Sequence, residues 1–183
     1  KKRKNQKRSF LRKFLIIFFL IGVLGSLGMC YELYTRVYQP NINFSKDTSE
    51  KYIYVPTGAD FPTVVSILSE NGLLINMNSF KWLSKQKKYD KNIKPGRYKI
   101  DRALNNNELI NLLRSGNQAP IKVSFNNIRN KEQLAGRIGL QIEADSVSIL
   151  NYLKDILFQR KLALNDHNIA CIFIPNTYEF YWN

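Results

Sequence analysis

Residues 14–31 read FLIIFFLIGVLGSLGMCY, 18 consecutive residues without a charge, bounded by Lys13 and Glu32. At 1.5 Å of rise per residue such a run spans ~27 Å as a helix, close to the thickness of a bilayer's hydrocarbon core. A single transmembrane helix is therefore expected at 14–34. Ahead of it, residues 1–13 hold eight basic residues (Lys1, Lys2, Arg3, Lys4, Lys7, Arg8, Arg12 and Lys13) and no acidic one. An excess of Lys and Arg marks the cytoplasmic flank of a span. Residues 1–13 are thus expected to be a cytoplasmic tail, with everything after about Tyr38 extracytoplasmic and Tyr31, Tyr34 and Tyr38 forming an interfacial belt. A cleaved signal peptide would have a shorter apolar region and a small-x-small cleavage site, whereas Leu33, Tyr34 and Arg36 follow here. Leu27-Gly28-Met29-Cys30 comes near a lipoprotein box, but Met29 is not the small residue that such a box needs before its cysteine. A cysteine inside an apolar span is ordinarily a small buried hydrophobe.

The tail also accounts for most of the net charge of +14: outside it, 20 basic residues face 14 acidic ones. Nucleic acid is not an expected partner, because the remaining basic residues are placed away from the cytoplasm. The 183 residues suit one ordinary domain or two small ones. With 44% hydrophobic and 23% charged residues, disorder and fibrous structure are excluded. Two cysteines and one histidine can build neither a disulfide scaffold nor a zinc cluster. No metal or cofactor is expected, and Cys30, at the membrane, is not expected to pair with Cys171. The chain begins with Lys1 and ends in an aromatic run at Asn183, so both ends read as cut.

Residues 35–51, polar and without periodicity, suit a short stalk. Tyr52–Val55 is a β-prone run closed by Pro56 and Gly58. Asp60 caps an expected helix with Pro62 in its first turn and Phe61, Val64, Val65 and Leu68 at helical spacing, ending at Gly72. A second helix is expected from Asn78 or Ser79 with Phe80, Trp82 and Leu83, and Pro95-Gly96 turns into a strand at Arg97–Ile100. Downstream, Asn105 and Glu108 form a capping-box pair before Leu109, Ile110, Leu112 and Leu113, with Gly116 as the stop. Ile121, Val123 and Phe125 alternate with Lys122, Ser124 and Asn126, the pattern of a half-buried strand. Asn130 and Gln133 open another helix, a longer amphipathic helix is expected over Ser146–Lys161, and Ala170–Ile174 reads as a buried strand ending at Pro175. The fold class is α+β.

Four segments occur in a telling order: Gly58, Phe61, Leu68, Gly72-Leu73-Leu74-Ile75 and Phe80; Lys94-Pro95-Gly96-Arg97-Tyr98; Asn107-Glu108-Leu109-Ile110-Asn111-Leu112-Leu113-Arg114-Ser115-Gly116; and Pro175-Asn176-Thr177-Tyr178-Glu179-Phe180. Each alone is weak, but the ordered set behind a lone apolar helix resembles the membrane-bound endolytic murein transglycosylases of the YceG-like family. The resemblance implies a peptidoglycan substrate, an inner-membrane location, a LysM-like β-α-α-β module at 52–116 and the beginning of a mixed α/β catalytic domain at 117–183. It also implies nascent glycan strands as substrate and cell-wall synthases as candidate partners.

Enzymes of that kind cleave a MurNAc–GlcNAc bond without water. One carboxyl group protonates the leaving oxygen and then, as carboxylate, takes the proton of the C6 hydroxyl of the same sugar as that oxygen attacks C1, leaving a 1,6-anhydro end. In the family the residue is a Glu in a helical motif resembling Ala-Ser-Ile-Val-Glu-Lys-Glu-Thr. Here the single Glu-Lys pair is Glu50-Lys51, in the stalk. No catalytic residue is therefore assigned in this chain, and the family Glu is expected beyond Asn183. The resemblance points to Asn176, Tyr178, Glu179 and Trp182 as candidate substrate-binding residues, since aromatic faces suit sugar rings. The plain alternative is that Tyr178, Phe180 and Trp182 pack on one side of a strand while Glu179 and Tyr181 point away. His167, after Asp166 in a polar loop, lacks the nucleophile motif that a general base would accompany.

From 81 to 102 nine basic residues (Lys81, Lys85, Lys87, Lys88, Lys91, Lys94, Arg97, Lys99, Arg102) face only Asp90 and Asp101. They can meet lipid phosphates or stem-peptide carboxylates, or simply form a solvated face. Two function classes remain: the N-terminal part of a glycan-cutting enzyme, or a noncatalytic membrane-tethered module that binds glycan or a partner in cell-wall synthesis.

Overall fold

The computed structural model describes residues 2–43, 50–101, 104–125, 128–174 and 176–183, with the side chains of 2–12 and of residue 125 outside the description. The uncharged run lies in one continuous helix, α1 (Lys2–Tyr38). Within it Lys13–Tyr38 is long and apolar enough to span a membrane, and none of its most apolar stretch is buried by the rest of the chain. Tyr31, Tyr34 and Tyr38 are exposed, the last two with ring centroids 5.2 Å apart.

The expected stalk is corrected at both ends. Helix runs on through Tyr38, residues 40–42 dock onto the body, and β1 (Glu50–Val55) already occupies 50–51; residues 44–49 lie outside the described ones. Pro40 bridges to Asn105 and Ile42 to Leu74, and Asn41 and Ile42 are buried. The reason is a polar network that a linear pattern does not reveal. The Asn41 side-chain amide donates to the Asn106 Oδ1 (2.7 Å) and to the Asn76 carbonyl (3.0 Å), while its oxygen accepts from the Asn76 N–H (2.7 Å). Asn106 donates in turn to the Arg36 carbonyl and to Ser79 Oγ, both at 2.8 Å.

β1 pairs antiparallel with β2 (Gly96–Asp101), from Glu50 opposite Asp101 to Val55 opposite Gly96. Between them lie α2 (Phe61–Glu70), capped by Asp60 as expected, and α3 (Met77–Gln86). α3 starts at Met77, one or two residues ahead of the expected Asn78 or Ser79, because the Asn76 side chain accepts from the Ser79 N–H and so serves as its cap. A 3-10 turn at Tyr89–Lys91 and α4 (Asn106–Ser115), with the full Asn105–Glu108 capping box, complete this unit. Ile53, Val55, Tyr98 and Ile100 from the sheet meet Val64, Leu68, Phe80, Leu109, Ile110 and Leu113 from the helices in one fully buried cluster. Each such aliphatic side chain contributes about 1.5–3 kcal/mol on leaving water.

The remainder builds a second, smaller cluster around Val123, Leu134, Leu153 and Ile169. β3 (Ile121–Phe125) pairs antiparallel with β4 (Asn176–Phe180), and α5 (Lys131–Gly139), α6 (Ser146–Lys154) and α7 (Ile156–Lys161) pack around them. Gln133 reaches the N–H of Arg129 rather than that of Asn130, so only half of the expected capping box forms there. The single long helix expected at 146–161 is two, divided at Asp155, whose carboxylate accepts from the N–H groups of Leu157 (2.7 Å) and Phe158 (3.1 Å). The strand expected at 170–174 is instead a 3-10 turn, Ile169–Ile172, in which Ile169 is buried while Cys171 and Ile172 are exposed. The strand begins at Asn176, and Pro175, Asn126 and Arg102 lie outside the described residues.

Candidate functional site

The β3–β4 register decides which candidates share a face. Val123 lies opposite Tyr178 and Ile121 opposite Phe180, and directly opposed residues of an antiparallel pair project to the same side. Val123 is buried, so Tyr178 and Phe180 turn toward the smaller core, their rings stacked at 6.0 Å, and Asn176 belongs to the same alternate set. The Tyr178 hydroxyl donates to the Ile174 carbonyl at 2.8 Å. Glu179 lies opposite Lys122 on the other, exposed face. Asn176 accepts from the N–H of its own neighbour Thr177.

Trp182 leaves the strand altogether. Its ring meets the edge of Tyr54 with centroids 5.1 Å apart, and its carbonyl accepts from the Glu143 N–H at 2.7 Å. Glu143 then grips the first unit with both carboxylate oxygens, accepting from the Thr57 N–H (2.6 Å) and the Thr57 hydroxyl (2.7 Å). Asn176, Tyr178, Glu179 and Trp182 are thus spread over two faces and a strand end rather than converging on one point. Sequence reasoning missed the Thr57–Glu143–Trp182 junction. Thr57 and Glu143 are 86 residues apart in the chain, and Glu143 looks like any loop carboxylate.

Beside the strand, an apolar cleft of about 540 Å³ opens between α5, α6 and β4, walled by Ile138, Ile149, Tyr152, Phe158, Phe173, Phe180 and Tyr181. Its aromatic walls could stack on a ring. Ser148 and Asn183 supply its polar side chains, a sparse set for the many hydroxyls of a glycan.

Most of the described carboxylates are occupied with structure. Asp60, Asp145 and Asp155 cap helices, Glu108 closes a capping box, Glu50 pairs with Lys99, Glu132 with Lys154 at 3.6 Å, and Asp166 with Lys131. Hydrogen bonds from Thr63 hold the Asp60 carboxyl below its usual range, bonds from Ser148 do so for Asp145, and the Lys131 ammonium does so for Asp166. A general acid must keep its proton at working pH, which needs a shift in the other direction. His167 sits in a turn where its N–H donates to Asn165 Oδ1 at 2.9 Å. Among the described residues no three of His, Cys, Asp and Glu come together as a metal would require.

Of the basic stretch, Lys87 is tied to Asn107 and Asn111, Lys94 to the Ser115 carbonyl, and Arg97 to the Pro120 carbonyl while its guanidinium lies 3.7 Å over the Tyr52 ring. Desolvation, with Arg114 nearby, lowers the Lys87 pKa from its ordinary value. Lys81, Lys85, Lys88 and Lys91 are exposed.

A family model described as the YceG-like family matches residues 53–183. Among solved structures, a 2.6 Å crystal structure of a yceG-like protein from Listeria monocytogenes aligns with 20% identity and a TM-score of 0.36, over 72% of this chain and 48% of that one. The chain therefore spans about half the length of that protein. A search of curated proteins finds no match.

Proposed function

Since the chain belongs to the YceG-like family, with residues 53–183 matching its model, we propose that it is the anchor and glycan-facing part of an endolytic murein transglycosylase. The family match carries this reading, and the lone apolar helix supports a membrane setting. In it, α1 crosses the inner (cytoplasmic) membrane with the basic tail in the cytoplasm, as the positive-inside rule directs. The β1–α2–α3–β2 unit acts as a LysM-like module toward nascent glycan strands. Asn176, Tyr178, Glu179 and Trp182 border the glycan cleft, and cell-wall synthases are the working partners.

The chemistry is a proton transfer to the leaving glycosidic oxygen, attack of the C6 oxygen on C1 of the same sugar, and return of the C6 hydroxyl proton to the carboxylate, with no water consumed. It requires one carboxyl group that is protonated at rest. The capping and pairing roles of the aspartates and glutamates above support placing that group outside these 183 residues.

The test is product analysis by mass spectrometry after incubation with purified glycan strands. The 183-residue chain is expected to release no 1,6-anhydro ends. A protein extended through the family Glu is expected to release them, and changing that Glu to Gln to abolish them, because an amide neither donates the proton nor takes one back. Anhydro products from the 183-residue chain that vanish on Glu179→Gln would overturn the assignment and give Glu179 the role.

A further inference from the structure

The network that joins α1 to the body also fixes which part of the body lies at the membrane. Counting from Tyr31, the end of the uncharged run, Arg36 lies about 7–8 Å farther along the helix axis, and the headgroup layer on each side of a bilayer is about 5–8 Å deep. The Arg36 carbonyl accepts from Asn106 at 2.8 Å, so the body meets the helix within that layer and not above it. Asn76, Asn78 and Ser79 line a polar notch together with Glu32, Thr35 and Arg36, one turn closer to the bilayer still. Ile75 borders the neighbouring notch with Thr35, Arg36 and Gln39, held there by its N–H donating to the Asn41 carbonyl at 3.0 Å. Yet its side chain is 67% exposed. The segment Leu74–Ser79 carries no charge, so placing it among headgroups desolvates no ion, and at the same level Glu32 and Arg36 pair with each other at 2.5 Å.

We propose that the loop Leu74–Asn78 is a second membrane contact, with Ile75 seated in the interfacial layer of the lipid beside α1. The proposal rests on the membrane-spanning reading of α1, and adds that the body touches the bilayer at a defined loop. An apolar side chain at this depth exchanges water for the glycerol and headgroup region bordering the acyl chains, while the Asn and Ser side chains around it stay within reach of headgroups and water.

The test uses the whole chain with Cys30 and Cys171 replaced by Ser, both being exposed free thiols. Single cysteines at position 20, 34, 75 or 147 are labelled with an environment-sensitive fluorophore and reconstituted into phosphatidylcholine vesicles with or without phosphatidylglycerol. Quenching by lipids brominated along the acyl chain is then read. The expected result is deep quenching at Leu20, and shallow quenching at Ile75 comparable to that at Tyr34 and well above that at Val147, an exposed residue of α6. A probe at 75 that emits as in water overturns the proposal, and so does one shielded from water but untouched by bromolipid, which would mean that protein covers it. Equal quenching at 75 and 147 overturns it too, since the molecule would then adsorb without a preferred face. Loss of quenching at Leu20 is a separate outcome: it overturns the spanning reading and the proposal with it. Phosphatidylglycerol is expected to change little at position 75, whereas a strong dependence on it would assign the contact to the exposed lysines of α3 instead.

Discussion

Gly96 shows how much one residue can carry. Its φ of +139° lies where L side chains rarely go, and an added Cβ would stand 2.1 Å from the Gln118 side chain. Gly96→Val is expected to cost about 1–3 kcal/mol from backbone strain, before the displacement of Gln118 is added. Denaturant unfolding of the detergent-solubilised chain, followed by the fluorescence of Trp82 and Trp182, measures it. Pairing the change with Gln118→Ala should recover only the contact part. The Pro95-Gly96 pair announced this demand in the sequence, though Gly96 is the first residue of β2 and not merely part of a turn. Tyr98 supplies a pH signature. Its buried hydroxyl donates to the Lys94 carbonyl at 2.9 Å, and burial pushes its pKa up to about 12. The unfolded chain releases this proton near its ordinary value of about 10, so between the two the unfolded state binds fewer protons and stability falls as pH rises. Burial moves Tyr89 in the same direction. Stability is expected to be flat below pH about 9 and to decline above pH about 10. Tyr98→Phe should make that decline shallower, leaving the part due to Tyr89, while costing about 1 kcal/mol at neutral pH for the lost hydrogen bond. An alkaline decline of unchanged slope in the variant would contradict the assignment.

Helix boundaries were legible at Asp60 and Asn105, where a cap residue stands directly before an apolar repeat and its bonding partner is three residues away in the same segment. They were not legible where a polar side chain breaks a continuing pattern. At Asp155 the amphipathic period runs on, but the carboxylate captures two N–H groups and starts a new helix. At 170–174 a short apolar run read as a strand, yet Ile172 and Ile174 stay exposed while Phe173 packs partly against the smaller core, and alternation alone cannot say which apolar run finds a partner strand. Asn106 is the most consequential element-level feature that the pattern hid. It stands second in an Asn-Asn-Asn triplet whose first member does the capping, while its own side chain joins α1, α3 and α4. Asn106→Ala leaves several buried polar groups unpaired at about 1–3 kcal/mol each. We expect a loss of about 2 kcal/mol or more and faster hydrogen exchange at residues 36–43, with α5 and α6 unaffected. Equal exchange in Asn106→Ala and the unaltered chain would show that the docking of 40–42 does not depend on this amide.

At the scale of the molecule, the two hydrophobic clusters are joined by few groups, and Glu143 and Trp182 make the clearest bonds between them. Glu143→Ala removes both bonds to Thr57, which are exposed to competition from water, so a modest cost of about 1–2 kcal/mol is expected. Its clearer effect should be on cooperativity, with Trp182 reporting an earlier transition than Trp82 instead of a shared one. The four candidate glycan residues were legible as a segment, but not as a site. Their faces follow from the pairing of β3 with β4, which lie far apart in the chain, and from a Tyr54 contact that no local pattern encodes. The locked joint between α1 and the body has one more consequence. A free linker would let the body keep its posture whatever the helix did, whereas here the two turn as one piece about Arg36, Asn41 and Asn106. Spanning helices lean over when the bilayer thins around them. In the spanning arrangement proposed above, such a lean would swing the whole body sideways like the arm of a compass, and membrane thickness would then set how far from the lipid its far end can reach.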